Sequence, residues 1–398
     1  MFSIANLHIT DYILLGVLAV LFLMQFYFYV RYMAAPARKM RKDKKSQNTN
    51  QESQISEGVS VILCAHNESE NLSNYLQVLL TQDYPAYEVI VVDDGSEDET
   101  RAVVESYLVQ DPRLHLTFVP YGARVGSTKK LALTLAAKAS KYDFLLLTDA
   151  DCVPESKNWI REMMRGFSNS TSIVLGFGPY FTEKGHLNRL VRFDTLFNGL
   201  HYLGAAICGH PYMGVGRNLA YRKSLFFESG GFTHLMNNIA GDDDLFVNHV
   251  ATKANTAVVL TRDSYTWSLA KKTMKEWLQQ KRRHLSVSPA YRGSTKVRLT
   301  LEPVTRGLFY LMVLLTVLAF GLPYVHVPMP ATLHPLVPAV ALGLFFIRWI
   351  MQTAILNTSA RRMGMPKFNG FSVLWFDITL PLVSLWMLTV PEKNRKKW

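Results

Sequence analysis

Four long, almost uncharged apolar runs lie near the two ends of this 398-residue chain, and they limit what it can fold into. The first covers residues 12–30, and the others cover residues 307–327, 331–352 and 371–390. A helix of about 20 apolar residues crosses the hydrocarbon core of a bilayer. The pattern therefore predicts membrane helices on both sides of a water-soluble region at residues 58–303.

Basic residues next to these runs predict how the chain sits in a membrane. The net charge is +12, and much of the excess follows the first run or ends the chain. A cleaved signal peptide is the alternative for the first run, but there the basic residues would precede the apolar stretch. Since cytoplasmic loops are rich in Lys and Arg, the region after Arg31 is expected in the cytoplasm, with the short N-terminus outside. The chain is thus predicted to be a multi-pass protein of the inner or plasma membrane.

The last apolar run, residues 371–390, is ambiguous because it contains Asp377 and Pro381. If all four runs cross, the basic tail at residues 391–398 lies outside, against the charge rule. We therefore favour a re-entrant or interfacial segment, and a complete fourth span stays open. The predicted divisions are a membrane helix, a basic and polar cytoplasmic linker, the soluble domain and a C-terminal membrane region with two or three apolar segments, at residues 1–31, 32–57, 58–303 and 304–398.

The soluble region has the alternating pattern of an α/β fold. Short β-rich apolar runs occupy residues 59–64, 88–92, 114–119 and 144–147, and stretches with helical spacing lie between them. Near-continuous apolar strands alternating with helices indicate parallel strands with both sheet faces covered. The three cysteines, Cys64, Cys152 and Cys208, form no zinc pattern and suit a reduced compartment.

Polar residues follow three of these strands, and ligands bind at the carboxyl ends of strands in such sheets. They belong to the segments 65–68, 93–96 and 148–151. Helix capping explains any one of these segments. Together they predict a shared crevice, in which Asp149 and Asp151 would hold a hard divalent ion, Mg²⁺ or Mn²⁺.

Two later clusters are further candidates. Asp242, Asp243 and Asp244 are consecutive, which suits either a solvated helix start or a general base near a metal. Residues 277–284 place Gln, Lys and Arg on a probable amphipathic helix, which suits either phosphate binding or an anionic lipid surface. Nucleic-acid binding is disfavoured because the soluble region has no basic groove interleaved with aromatic residues.

The ordered set resembles the family 2 inverting glycosyltransferases of GT-A fold, a mixed sheet with helices on both faces. It is similar to the membrane-bound branch with cellulose, hyaluronan and poly-N-acetylglucosamine synthases and glycolipid-forming enzymes. The resemblance implies a metal at Asp149 and Asp151 and a catalytic base at Asp243, with Asp242 beside it. The donor nucleotide sugar, most simply a UDP-sugar, would be bound by Ala65, Glu68, Asp93, Asp94, Lys129, Asp149, Gln279, Arg282 and Arg283. A solvated helix face is the alternative for Lys129.

Departures from the family pattern bear on the product. Cys64 and His66 replace the usual Pro and Tyr of the first motif, and Arg283 replaces the Trp of the Gln-x-x-Arg-Trp motif. That Trp belongs to the acceptor site of the processive synthases. We therefore expect a single or limited, metal-dependent sugar transfer to a membrane-associated acceptor, a lipid or lipid-linked glycan. A processive polysaccharide synthase and a non-catalytic nucleotide-sugar-binding membrane protein are the alternatives.

Overall fold

The computed structural model describes residues 7–46, 57–120, 122–123, 126–236, 238, 240–321 and 333–389. Residues 47–56 of the predicted linker and the basic tail at residues 391–398 lie outside the described residues. The soluble region is an α/β unit, and long helices precede and follow it in the chain.

A seven-stranded mixed sheet forms the centre of the soluble region. Its strands lie in the order β3-β2-β1-β4-β7-β6-β8. The first four strands of the chain are parallel to their neighbours within that group, whereas β7 is antiparallel to both β4 and β6. β5 and β9 form a separate two-stranded sheet. The strands are β1 Val59–Ala65, β2 Tyr87–Asp93, β3 Leu114–Phe118, β4 Phe144–Leu147, β5 Cys152–Pro154, β6 Ile173–Leu175, β7 Leu219–Arg222, β8 Thr256–Val258 and β9 Thr266–Ser268.

Both faces of the sheet are covered, as the apolar strands predict. Successive side chains of a strand point to opposite faces. In β1, Val61 and Leu63 pack into one buried cluster while Ile62 packs into another. The helices of the soluble region are α3 Ser69–Leu80, α4 Thr100–Leu108, α5 Thr128–Ala139, α6 Trp159–Met164, α7 His186–Ile207, α8 Lys223–Glu228, α9 Asp244–Val250 and α10 Met274–Leu285.

The N-terminal apolar run is a helix that continues past the predicted span. α1 Ile9–Phe28 leads through the π-helical turn Tyr29–Met33 into α2 Ala35–Ser46. The Arg38 guanidinium donates to the carbonyl oxygens of Val30 and Arg31, at 2.6 and 3.0 Å, and so pairs acceptors that the turn would otherwise leave open. The first part of the predicted linker is therefore helical.

Three helices form the C-terminal region: α11 Gly293–Gly321, α12 Leu336–Arg362 and α13 Gly370–Thr389. Among the described residues, four helices are long and apolar enough to cross a membrane, and the segment Gly370–Met387 is the last of them. The boundary expected at residues 303/304 falls inside α11, which begins eleven residues earlier in the chain as a polar extension of the same helix.

Buried charges connect the C-terminal helices. Asp377 of α13 accepts from Arg306 of α11 at 2.7 Å and from Arg348 of α12 at 3.0 Å. The Tyr310 hydroxyl donates to the same carboxylate at 2.6 Å. Asp377 and Arg348 are each 1% exposed. The polar residue that made the fourth run ambiguous is therefore paired inside the helix bundle.

Candidate active site

Two loops after neighbouring strands are hydrogen-bonded to each other at the carboxyl edge of the sheet. The Asp94 backbone N–H donates to the Ala65 carbonyl at 2.8 Å, so the ends of β1 and β2 are held together. Asn67, in the left-handed region with φ 57°, accepts at its side chain from the Glu97 N–H. The predicted residues Ala65, Asp93 and Asp94 thus belong to one rigid edge.

The two aspartates at the end of β2 have different partners. Asp93 is buried and accepts from the Ser96 N–H at 2.9 Å, which fixes the turn after the strand. Asp94 accepts from the Thr128 hydroxyl at the start of α5, at 2.7 Å. Burial raises the pKa of Asp94, although the Thr128 hydrogen bond opposes the rise. Of the pair, Asp94 is the one whose carboxylate faces the crevice.

The Asp149 and Asp151 carboxylates form the candidate metal centre after β4. Their oxygens and the Cys152 sulfur lie within 4.8 Å of one another. Burial raises the pKa of Asp151, and the adjacent Asp149 carboxylate raises it further. This repulsion is what a bound cation would relieve. Glu68 lies close enough for both aspartates to raise its pKa, although burial is the larger cause.

The donor set fits a hard divalent ion. Carboxylate oxygens are the ligands that Mg²⁺ and Mn²⁺ prefer. Burial raises the pKa of the Cys152 thiol well above its ordinary value, so the sulfur keeps its proton and lies 3.4 Å from an Asp151 oxygen as a hydrogen-bond donor. Asp149 and Asp151 would therefore hold the ion, and Cys152 would not ligate it.

Lys129 of α5 joins this pair to the next acidic cluster. Its Nζ lies 3.1 Å from an Asp149 oxygen and 3.3 Å from an Asp242 oxygen. Burial raises the pKa of Asp149, but nearby cations, above all Lys129, hold that pKa below its ordinary value. Lys129 does not lie on a solvated helix face, so that alternative is wrong.

Asp243 is the most constrained of the consecutive aspartates. It is the N-cap of α9, and its two oxygens accept from the backbone N–H groups of Gly216 and Asp244, each at 2.7 Å. Burial and the neighbouring Asp242 raise the pKa of Asp243 to about 6. A pKa in this range suits a general base that works near neutral pH.

Helix α10 carries the last predicted group. Thr273 and Glu276 form a capping box at its start, and Trp277 is buried beneath it. Burial raises the pKa of Asp149, whereas the charges of Lys129, Arg217 and Arg283 lower it, so the basic end of the helix lies near the candidate metal pair. The predicted residues Arg282 and Arg283 follow Gln279 by three and four residues, so each lies about one helical turn from it. Gln279 is exposed in this arrangement.

Two residues at this site were not singled out from the sequence. The Arg217 guanidinium lies 4.4 Å from the centre of the Tyr180 ring, and its charge lowers the pKa values of Asp149 and Asp151 against the effect of burial. The Tyr291 hydroxyl donates to the Asp244 carboxylate at 2.8 Å. Arg217 belongs to the stretch 214–222, which resembles the acceptor-side segment of the family, whereas no local motif marks Tyr291.

A comparison with known proteins finds a family that matches the part of the chain containing most of this site. The sequence profile of the glycosyl transferase family 2 matches residues 60–230. The poly-beta-1,6-N-acetyl-D-glucosamine synthase of Staphylococcus epidermidis is 30% identical over 115 residues, which are 29% of this chain and 27% of that protein. The hyaluronan synthase of Streptococcus pyogenes is 24% identical over 218 residues, which are 50% of this chain and 49% of that protein.

Among solved structures, the chain is similar to a mannosyltransferase, PcManGT from Pyrobaculum calidifontis, in complex with GDP-Man and Mn²⁺. The two are 16% identical with a TM-score of 0.48, over 94% of this chain and 95% of the other.

The chain spans about half or less of the length of the two synthases that it matches. The profile match nevertheless covers β1 to β7, and therefore the strand ends that carry the metal pair. The mixed α/β fold class expected from the sequence is confirmed, and the match over residues 60–230 agrees with the expected family and enzyme class. Residues 60–230 of this chain belong to a glycosyl transferase family 2 domain.

Proposed function

We propose that this protein is a membrane-bound, inverting, metal-dependent glycosyltransferase. It moves one sugar from a nucleoside-diphosphate sugar, most simply a UDP-sugar, to an acceptor held in the membrane. The observation that carries the proposal is the fixed Asp243 carboxylate, whose pKa of about 6 leaves it ionised at neutral pH. Lys129, which pairs with Asp149 and with Asp242, also acts on Asp243 through its charge and so connects it with the candidate metal pair.

The reaction proposed for this site is a direct displacement. The acceptor hydroxyl oxygen forms a bond to the anomeric carbon while the bond from that carbon to the diphosphate oxygen breaks. Asp243 takes the hydroxyl proton. The Gly216 and Asp244 N–H groups fix both carboxylate oxygens, so the base needs little reorganisation before it accepts the proton.

Cations around Asp149 and Asp151 would stabilise the negative charge of the leaving group. Lys129, Arg217 and Arg283 all act on the Asp149 carboxylate, which places positive charge where a diphosphate would lie. An arginine guanidinium often binds phosphate through two parallel N–H···O hydrogen bonds. A divalent ion held by Asp149 and Asp151, when bound, neutralises charge developing on the diphosphate. Asp94 and Glu68 would then contact the nucleoside, at the edge formed by β1 and β2.

The membrane helices support an acceptor that is itself in the bilayer. α10 ends at Leu285 and α11 begins at Gly293, so the candidate diphosphate-binding helix directly precedes a candidate membrane span. The basic segment around α2 supports a cytoplasmic catalytic domain in the inner or plasma membrane.

The test compares Asp243→Asn with the wild type in detergent-solubilised full-length protein, with a panel of radiolabelled UDP- and GDP-sugars. We expect transfer to fall at least 100-fold while donor binding stays within about threefold. The matched control is His249→Asn, a change on the exposed face of α9. Full transfer by Asp243→Asn would refute the base assignment.

A processive synthase is the second candidate, because the matched relatives include enzymes named as polysaccharide synthases. Product sizing separates the two. A single transfer gives short additions that do not lengthen with time, whereas a processive enzyme gives a polymer.

A further inference from the structure

An apolar cleft of about 400 Å³ lies between the first membrane helix, α1, and the helix that leaves the catalytic domain, α11. Val20, Leu23 and Tyr27 of α1 and Leu301 of α11 line it, and each is about half exposed or more, at 49–60%. The cleft therefore opens sideways, toward the side on which these helices would meet lipid. Its volume is in the range of small-molecule sites.

The cleft extends from the lipid-facing side to the catalytic domain. Its lining runs from Val20 of α1 to Tyr32 in the π-helical turn that follows, a rise of roughly 18 Å at the α-helical value per residue. The inner end is formed by His201 and Tyr212, whose rings lie 5.6 Å apart. Burial lowers the pKa of His201 to about 4, so this imidazole is neutral and suits an apolar occupant.

The inner end is connected to the candidate base by two short routes. The Asn248 amide on α9 donates to the Tyr212 carbonyl at 3.0 Å and to the Thr295 hydroxyl at 3.1 Å. The Tyr212 ring packs edge-on against Tyr291, whose hydroxyl donates to Asp244. Asp243 directly precedes Asp244. The end of the cleft is therefore two contacts from the acidic cluster.

Positive charge lies beside the cleft. Arg298 lines it. The His210 ring lies 6.3 Å from the ring of Tyr32, a lining residue. Burial lowers the pKa of His210, and the charges of Arg298, Arg31 and Lys253 lower it further, so these cations lie near the Tyr32 side of the cleft. The cleft's own acid, Glu302, lies 3.1 Å from Arg306. A chain with a negative head group complements this arrangement, since its hydrocarbon meets the apolar walls and its head group meets the cations.

We propose that the cleft between α1 and α11 binds the acceptor, a phosphate-bearing lipid whose hydrocarbon chain lies along Leu23 and Leu301 and whose head group meets Arg298. This assignment rests on the proposed function and adds the chemical class of the acceptor. The lipid enters sideways from the bilayer and presents its head group next to the Asp243 and Asp244 cluster.

The binding test uses dodecyl phosphate with a diazirine near the chain end, and full-length protein in phosphatidylcholine nanodiscs. We expect crosslinks on α1 and α11 peptides that line the cleft. Leu301→Trp, which fills the cleft, should lower labelling at least fivefold. Leu308→Trp, two turns along the same helix and outside the cleft lining, should stay within twofold. Equal labelling of both variants would overturn the site.

The head-group test compares Arg298→Gln with Lys296→Gln, an exposed cation on the same helix outside the cleft lining. Arg298→Gln should weaken labelling by dodecyl phosphate at least threefold and leave labelling by the dodecyl maltoside analogue unchanged. Lys296→Gln should change neither. Loss of selectivity for phosphate in the wild type would contradict the anionic head group.

The acceptor test follows radiolabelled sugar into the chloroform-soluble fraction of nanodiscs made from a total membrane lipid extract. Leu301→Trp should lower this incorporation at least tenfold while donor hydrolysis stays within twofold of the wild type. Unchanged incorporation would show that the bound lipid is not the acceptor. A wild type that hydrolyses and transfers no sugar would refute the proposed function, while the labelling result would still decide whether the cleft binds lipid.

Discussion

At the scale of single residues, the Asp243 carboxylate sets the expected pH dependence. Burial and the Asp242 charge raise its pKa to about 6, and Lys129 opposes the rise. A base works only when ionised, so kcat/KM should fall on the acid side of about pH 6, by about tenfold for each further pH unit. Above pH 6 the base is ionised and this limb is flat. A pH profile of transfer by the wild type measures the limb.

The control for that profile is Asp242→Asn. Removing the Asp242 charge takes away a cause of the raised pKa, so the acid limb should move to lower pH. Lys129 also loses one of its two carboxylate partners and acts more strongly on Asp243, which shifts the limb in the same direction. A limb that moves to higher pH, or stays fixed, would contradict the assignment of this titration to Asp243.

Lys130, next to Lys129, holds the loop that leads to the aspartates. Its buried Nζ donates to the carbonyl oxygens of Leu235, Asn238 and Ala240, at 3.0, 2.5 and 2.8 Å. Lys130→Met leaves these acceptors unpaired, so we expect the free energy of unfolding to fall by about 1–3 kcal/mol.

The measurement for Lys130→Met is the thermal midpoint in detergent, together with kcat. Lys138→Met, an exposed lysine on the same helix, should stay within about 0.5 kcal/mol of the wild type. If both lysine variants behave alike, the three carbonyl contacts do not hold the loop.

The two adjacent lysines show the limit of prediction at this scale. The sequence and its family resemblance single out Lys129 as a site residue. The sequence cannot show that Lys130 contacts a loop about a hundred residues later, because its acceptors there are backbone carbonyl oxygens, which any residue has. Tyr291 was missed for the same reason, because its partner Asp244 is close only after the chain folds.

At the scale of elements, α13 is held by charge as well as by apolar contact. Asp377→Asn removes the ion pair of buried Arg348 and leaves Arg306 paired with Glu302. Breaking a buried ion pair costs about 3–5 kcal/mol. We expect a large loss of folded protein after detergent extraction, read by size-exclusion chromatography. Thr379→Ala, whose hydroxyl bonds only within its own helix, is the matched control.

A double variant tests whether the unpaired buried charge causes the loss of stability. Adding Arg348→Gln to Asp377→Asn removes the buried cation that has lost its ion pair with Asp377, so part of the lost stability should return. A double variant that is as unstable as the sum of the single ones would show that the pair contributes no mutual stabilisation.

The strands were predicted correctly where the hydrophobic pattern of the sequence is long enough to be clear. The four strands expected from apolar runs are β1 to β4, with bounds that differ by a residue or less. The later strands were not predicted, since β5, β6, β8 and β9 have three residues each, too few for a period to show. β7 was not predicted either, and its antiparallel pairing with β4 is a tertiary property.

At the scale of the whole molecule, the buried Asp377 bears on topology. A carboxylate paired to two helices of the bundle suits an α13 that spans the membrane better than one that lies on its surface. With the N-terminus outside, four spans place the chain's end outside and Lys367, before α13, in the cytoplasm.

The measurement is accessibility of an epitope tag after Trp398 and of a second tag inserted next to Lys367, in intact and permeabilised cells. We expect the C-terminal tag to be accessible in intact cells and the loop tag only after permeabilisation. If both tags are on the same side of the membrane, α13 does not span it and is a re-entrant or interfacial segment.

The chain's own pattern was enough to predict the membrane runs, the first four strands and the carboxylates at their ends, because hydrophobic periodicity and strand-end position are local properties. The pairing of Lys129 with Asp149 and Asp242, the raised pKa of Asp243 and the apolar cleft between α1 and α11 were decided by the fold. Each depends on burial and on contacts between distant segments, and the free energy of a charge is set by the partners that folding brings near it.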